Sequence, residues 1–137
     1  MTRLALILKK VALAVVVLPL LAGSARAAGI GFKNDLKIPI IVQGASFEKN
    51  VVRRGQPLLI YPGKTVWDLN LKPGNRFITI YDARQPTRIL FQSPANPKLV
   101  HPFGPIPFDD QDMLFSVRPL PTNPARVIPV RIEMPAP

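Results

Sequence analysis

The sequence predicts an all-β chain, a small antiparallel β-sandwich (Ig-like or similar) of about seven or eight short strands, with a small β-barrel as the alternative. Three observations carry this. Short runs of apolar and β-branched residues alternate with period two. Turn signals recur about every ten residues, the spacing expected of a sandwich. After Ala27 no stretch shows helical periodicity.

The elements follow in order. Residues 29–34 (GIGFKN) read as a first strand ended by Asn34-Asp35. In residues 37–43 (KIPIIVQ), Ile38, Ile40 and Val42 alternate with Lys37, Pro39 and Gln43, the pattern of a half-buried strand. Residues 44–56 are polar and predict a weak short strand at most, whereas 57–61 (PLLIY) are apolar. Pro62-Gly63 is a turn, with Pro setting φ and Gly supplying positive φ. Residues 65–71 then place Trp67, Leu69 and Leu71 on one face and Val66, Asp68 and Asn70 on the other. A second Pro-Gly turn, Pro73-Gly74, leads into 76–82 (RFITIYD), rich in aromatic and β-branched residues, and 88–92 (RILFQ) follows. Residues 93–111 hold prolines at 94, 97, 102, 105 and 107 and read as one long connection. Residues 113–118 (MLFSVR) form the next strand. In the last, 127–134, the alternation turns Ile128, Val130, Ile132 and Met134 inward and Val127, Pro129, Arg131 and Glu133 outward. The expected core includes Trp67, Ile78, Ile80, Phe91, Phe115, Val130 and Ile132. Pro39 and Pro129 cannot donate to a ladder, so each is expected at an edge or bulge.

Residues 1–27 are expected to be an address and not part of the fold. Arg3, Lys9 and Lys10 form a positive start, Val11 to Ala22 an apolar core, and Ala25-Arg26-Ala27 a small-x-small cleavage site. The expected product is a single exported domain, residues 28–137, periplasmic or secreted. The alternative is a retained N-terminal membrane anchor, disfavoured because Lys9 and Lys10 cut the apolar stretch to about a dozen residues where a span needs roughly 20. There is no cysteine, so disulfides and thiol chemistry are excluded. The full chain carries +10. The leader holds four basic and no acidic side chains, which leaves about +6 and favours anionic surroundings. The basic residues are spread along the sequence with only Arg53-Arg54 adjacent, which predicts no sequence-specific nucleic-acid recognition.

Few motifs carry chemistry. His101 is the one histidine, sits between Val100 and Pro102, and has no nucleophile-elbow serine to serve. Asp109, Asp110 and Asp112 (FDDQD) form the one acidic cluster. Hard oxygen donors at that spacing suit Ca²⁺, though the glycine and distal glutamate of the known calcium loop are missing; the simpler reading is a solvated turn. Gly63-Lys64-Thr65 lacks the first glycine of a phosphate-binding loop, since position 58 is Leu. Residues 118–124 (RPLPTNP) read as a rigid connector. No cofactor is expected. The expected function is non-catalytic binding of a protein or anionic polymer. Contact is assigned to the long connection through Lys98, Leu99, Val100, His101, Phe103 and Ile106, whose apolar members could instead plug the end of the core. The alternatives are a hydrolase of an envelope polymer using Asp109, Asp110 or His101, and a purely structural subunit.

Overall fold

A computed structural model of the chain describes residues 28–49, 51–69, 71–93 and 106–134. The leader and residues 94–105 lie outside them. Ten strands make up the described part: β1 (Gly29–Asn34), β2 (Ile40–Glu48), β3 (Val51–Arg54), β4 (Leu58–Ile60), β5 (Thr65–Leu69), β6 (Gly74–Asp82), β7 (Gln85–Gln92), β8 (Ile106–Phe108), β9 (Met113–Leu120) and β10 (Asn123–Ile132). They form two sheets. The first runs β10-β9-β1-β5; the second runs β3-β2-β6-β7, with β4 also on β2 and β8 also on β6. The all-β, two-sheet class expected from the pattern is what the chain adopts. Among the described residues no helix is long and apolar enough to cross a membrane.

The core lies between the sheets. Ile30 and Phe32 from β1 meet Phe115 and Val117 from β9 on one side, and Ile40, Val42, Ile60 and Ile80 of the second sheet close the other. Phe32 and Phe115 stack with ring centroids 6.0 Å apart. Burying each such side chain fully is worth about 1.5–3 kcal/mol. β1 works because it alternates large and absent side chains. Its core face carries Ile30, Phe32 and Asn34, and its outer face carries Gly29 and Gly31. A Cβ on Gly31 would stand 2.9 Å from the Trp67 ring and from Leu114, so glycine lets both side chains lie down on the strand.

Several expectations change. The ladder is antiparallel except for one pair: β1 runs parallel to β9, with Phe32 opposite Phe115. Parallel neighbours need a long crossover, and here most of the chain separates them. Residues 44–56 contain a real hairpin. β2 continues to Glu48 and pairs with β3 despite the exposure of every β3 residue, because ladder hydrogen bonds do not need an apolar face. The long connection is shorter than expected, since Ile106 to Phe108 add a strand to β6. Residues 118–124 are not a break but the turn of the β9–β10 hairpin, and β10 begins at Asn123.

Two facings are reversed. Val66 packs on the core with Phe32, while Trp67 lies on the outer face over Gly31. In β10 the pairing with β9 puts Val127 into the core and leaves Val130 and Ile132 half-buried outside, opposite Ser116 and Leu114. Ile78, Ile80 and Phe115 are core residues as expected, and Phe91 packs partly buried against the core. Pro129 does lie in an edge strand, and Pro39 sits just before β2, where its carbonyl accepts the Ala83 N–H at 3.1 Å.

Candidate functional site, a basic seam between the sheet edges

The two sheets end beside each other at β7 and β10, each an edge strand of its own sheet. Two adjoining cavities of about 380 and 280 Å³ run along this seam and share Leu90 and Val127 in their floor. Three local structures build the walls.

The first is the crossing from β1 to β2. Asn34 is fully buried. Its Nδ2 donates to the carbonyls of Ile38 (2.8 Å) and Ile60 (2.9 Å), and its Oδ1 accepts the Leu36 N–H at 2.9 Å. Residues 35–38 are thereby folded back, with Asp35 and Lys37 on the wall of the seam. The Ser116 hydroxyl donates to Asp35 Oδ2, and Lys33 Nζ lies 3.4 Å from Asp35 Oδ1. The Ser116 bond holds the Asp35 carboxyl below its ordinary value, against the opposing effect of burial, with Lys33 and Arg118 helping. Arg118 Nε donates to Ser116 Oγ at 2.9 Å.

The second is the β6–β7 turn. Asp82 is 2% exposed. Its Oδ1 accepts the Arg84 N–H (2.9 Å) and Nε–H (3.1 Å), and its Oδ2 accepts Arg84 Nη2 at 3.0 Å. These bonds from Arg84 depress the Asp82 pKa despite burial, with the charges of Arg84 and Arg88 adding to the effect, and the same bond raises Arg84. Arg88 Nη1 stands 3.9 Å from Asp82 Oδ2. The third is the β9–β10 hairpin, which supplies Pro119, Pro124 and Ala125. Arg88 Nη2 reaches across the seam to within 3.5 Å of the Ala125 carbonyl oxygen.

The electrostatics of this end follow from those contacts. Lys33, Arg84, Arg88 and Arg118 stand around two hydrogen-bonded carboxylates, Asp82 buried and Asp35 exposed on the wall, while Lys37 lines the same cavity and Arg126 lines the far part of the seam. Lys37, the Arg84 side chain (56%) and the Arg88 side chain (45%) remain open to solvent. A unit anion 4 Å from one such cation gains about 4 kcal/mol at the effective dielectric of a protein surface, before desolvation. The seam can therefore hold an anionic group over an apolar floor. Its carboxylates are poorly suited to donating protons, because both are held in the charged form.

The residues singled out in the sequence fall elsewhere. Lys98, Leu99, Val100, His101 and Phe103 lie outside the described residues. Ile106 lies in β8 and is buried in the core opposite Arg76, beside buried Phe108, so at this position the apolar chain plugs the core. Asp109 and Asp110 are exposed at a turn where Asp110 has φ of 70°, and Asp112 Oδ1 accepts the Gly29 N–H at 2.8 Å. Among the described residues no three of His, Cys, Asp and Glu come together in a way that could hold a metal ion. No family model, curated protein or solved structure compared with the chain matches it.

The seam was not legible in the sequence because its cations are up to some ninety positions apart and become neighbours only through the β1–β9 pairing and the closing of β7 on β10. The one usable signal was Asp82 at the start of a tight turn with Arg84 inside it.

Proposed function

We propose that this chain is an exported, non-catalytic binding protein of the cell envelope or exterior that takes an anionic polymer along the β7–β10 seam. The observation that carries the proposal is the gathering of Lys37, Arg84, Arg88 and Arg126 along one continuous groove whose nearby carboxylates, Asp35 and Asp82, are already hydrogen-bonded to Ser116 and Arg84. Export rests on the leader pattern. An anionic polymer fits better than a single small anion, because the cations extend over two adjoining open cavities, Lys37, Arg84 and Arg88 in the first and Arg126 in the second. Their attraction is screened beyond about 10 Å at 0.1 M ionic strength, so binding should weaken with salt.

A polyphosphate chain tests the proposal, being an anionic polymer without rings or apolar groups. Titrated at about 0.1 M ionic strength, the wild-type chain should bind it. Combining Lys37→Glu with Arg88→Glu should weaken binding by about tenfold or more, as expected for like-charge juxtaposition. Lys49→Glu, an exposed position in the β2–β3 turn on another part of the second sheet, should change it little. Because the seam pair removes twice the charge that Lys49→Glu does, a loss from Lys49→Glu of half the seam pair's on a logarithmic scale would show that overall charge, and not the seam, attracts the polymer.

A further inference from the structure

The outer face of the second sheet carries a separate trough of about 210 Å³. The register places its lining on one face: Ala45 opposite Phe77 and Arg54, Phe47 opposite Val52, Gln43 opposite Thr79, and Thr79 opposite Gln92. Phe47 and Phe77 meet edge to face at 5.4 Å, yet Phe47 is 50% and Val52 49% exposed. Apolar surface left open beside a concavity in a small chain marks a contact site. The trough is not purely apolar. The Gln43 amide donates to the Gly55 carbonyl at 3.2 Å, which leaves its oxygen as an acceptor. Thr79, Tyr81 and Gln92 add groups that both donate and accept. Among the described residues Arg54 is the one charged side chain lining it, and no carboxylate does.

We infer that this trough is a binding site for an acidic polysaccharide, with one sugar ring over Ala45 against Phe47 and Phe77 and its carboxylate on Arg54. The argument has three parts. The volume lies below the about 300–1,000 Å³ of a drug-sized pocket, so it takes one ring and not a larger compound. The aromatic walls meet the C–H faces of a ring, while polar groups from β2, β6 and β7 surround its rim, where a sugar carries hydroxyls; a nucleobase concentrates its polar atoms on an edge. The single cation without a carboxylate selects an anionic ring and repels none. The edge strand β3, exposed throughout, leaves the trough open at its side, so the ring can belong to a longer chain.

The test is affinity electrophoresis of the chain through gels containing polygalacturonate, alginate or heparin, with neutral dextran, polyphosphate and poly(U) as comparisons. Retardation should be strongest in at least one acidic polysaccharide. Phe47→Ala and Arg54→Gln, both at exposed positions, should each weaken it about tenfold with an unchanged melting temperature, in line with loss of a binding anchor. The Lys37→Glu, Arg88→Glu pair should leave this trough-dependent loss intact, which separates the trough from the basic seam. Retardation by no acidic polysaccharide, equal or stronger retardation of the Lys37→Glu, Arg88→Glu chain by dextran, polyphosphate or poly(U), or wild-type behaviour of Phe47→Ala would each overturn the inference.

Discussion

Asn34 shows how one polar side chain can govern a site it does not touch. It satisfies two carbonyls and one N–H around itself while its own N–H donates to the Lys64 carbonyl at 2.9 Å. Asn34→Leu should leave the Ile38 and Ile60 carbonyls buried and unpaired, at a cost of about 1–3 kcal/mol each, read as a fall in the chemical-denaturation midpoint. An unchanged midpoint would show that residues 35–38 are held by other means. Two carboxylates make opposite predictions about pH. The Asp82 pKa is depressed by Arg84, so its contribution to stability is present above the ordinary carboxylate range and is lost as pH falls through the folded value. Asp82→Asn should lower the melting temperature at pH 7, with the difference closing in acid. Asp68 is the reverse: burial raises it, partly offset by Arg76, so its charged form works against folding once pH rises past the folded value. Asp68→Asn should raise the melting temperature at neutral pH and do little below the ordinary carboxylate range. The sequence showed Asn34 only as a strand end and Asp68 only as an outward position, because burial there comes from distant strands.

At the scale of elements, period-two alternation located the strands well and oriented some of them badly. It held where a strand is regular, as in β2 and β6, whose Ile40, Val42, Ile78 and Ile80 all face the core. It failed in β10, an edge strand with apolar residues on both faces, whose pairing with β9 puts Val127 on the core face and Ile128, Val130 and Ile132 on the other. Val127→Asp should therefore unfold the chain, because it buries an unpaired charge. Val130→Asp, on the half-buried outer face opposite Ser116, should be clearly milder. Thermal unfolding of the two variants decides the facing, and a larger loss from Val130→Asp would reverse it. β1 makes a similar demand. A Cβ on Gly29 would meet the Asp68 carbonyl oxygen at 2.5 Å, a backbone atom of the paired strand that cannot swing aside. The clash on Gly31 is with side chains. Gly29→Ala should accordingly cost more stability than Gly31→Ala.

For the whole molecule, the first strand after the expected leader is an interior one. β1 lies between β9 and β5, gives Ile30 and Phe32 to the core, and through Asn34 holds the crossing that shapes the seam. It begins two residues after Ala27, and its Gly29 N–H is tied to Asp112. The proposed cleavage after Ala27 leaves this strand whole, whereas cleavage a few residues later would remove an interior strand. Removing it would expose ladder groups of both neighbours and open the apolar surface beneath Phe115 and Val117, more than a chain of marginal stability can lose. Mass spectrometry of the exported protein should thus give a chain starting at Ala28. A version beginning at Asp35 should fail to fold, shown by loss of cooperative thermal unfolding. A mature chain that starts beyond Asn34 and still melts cooperatively would show that β1 is dispensable, and with it the account of how the seam is built.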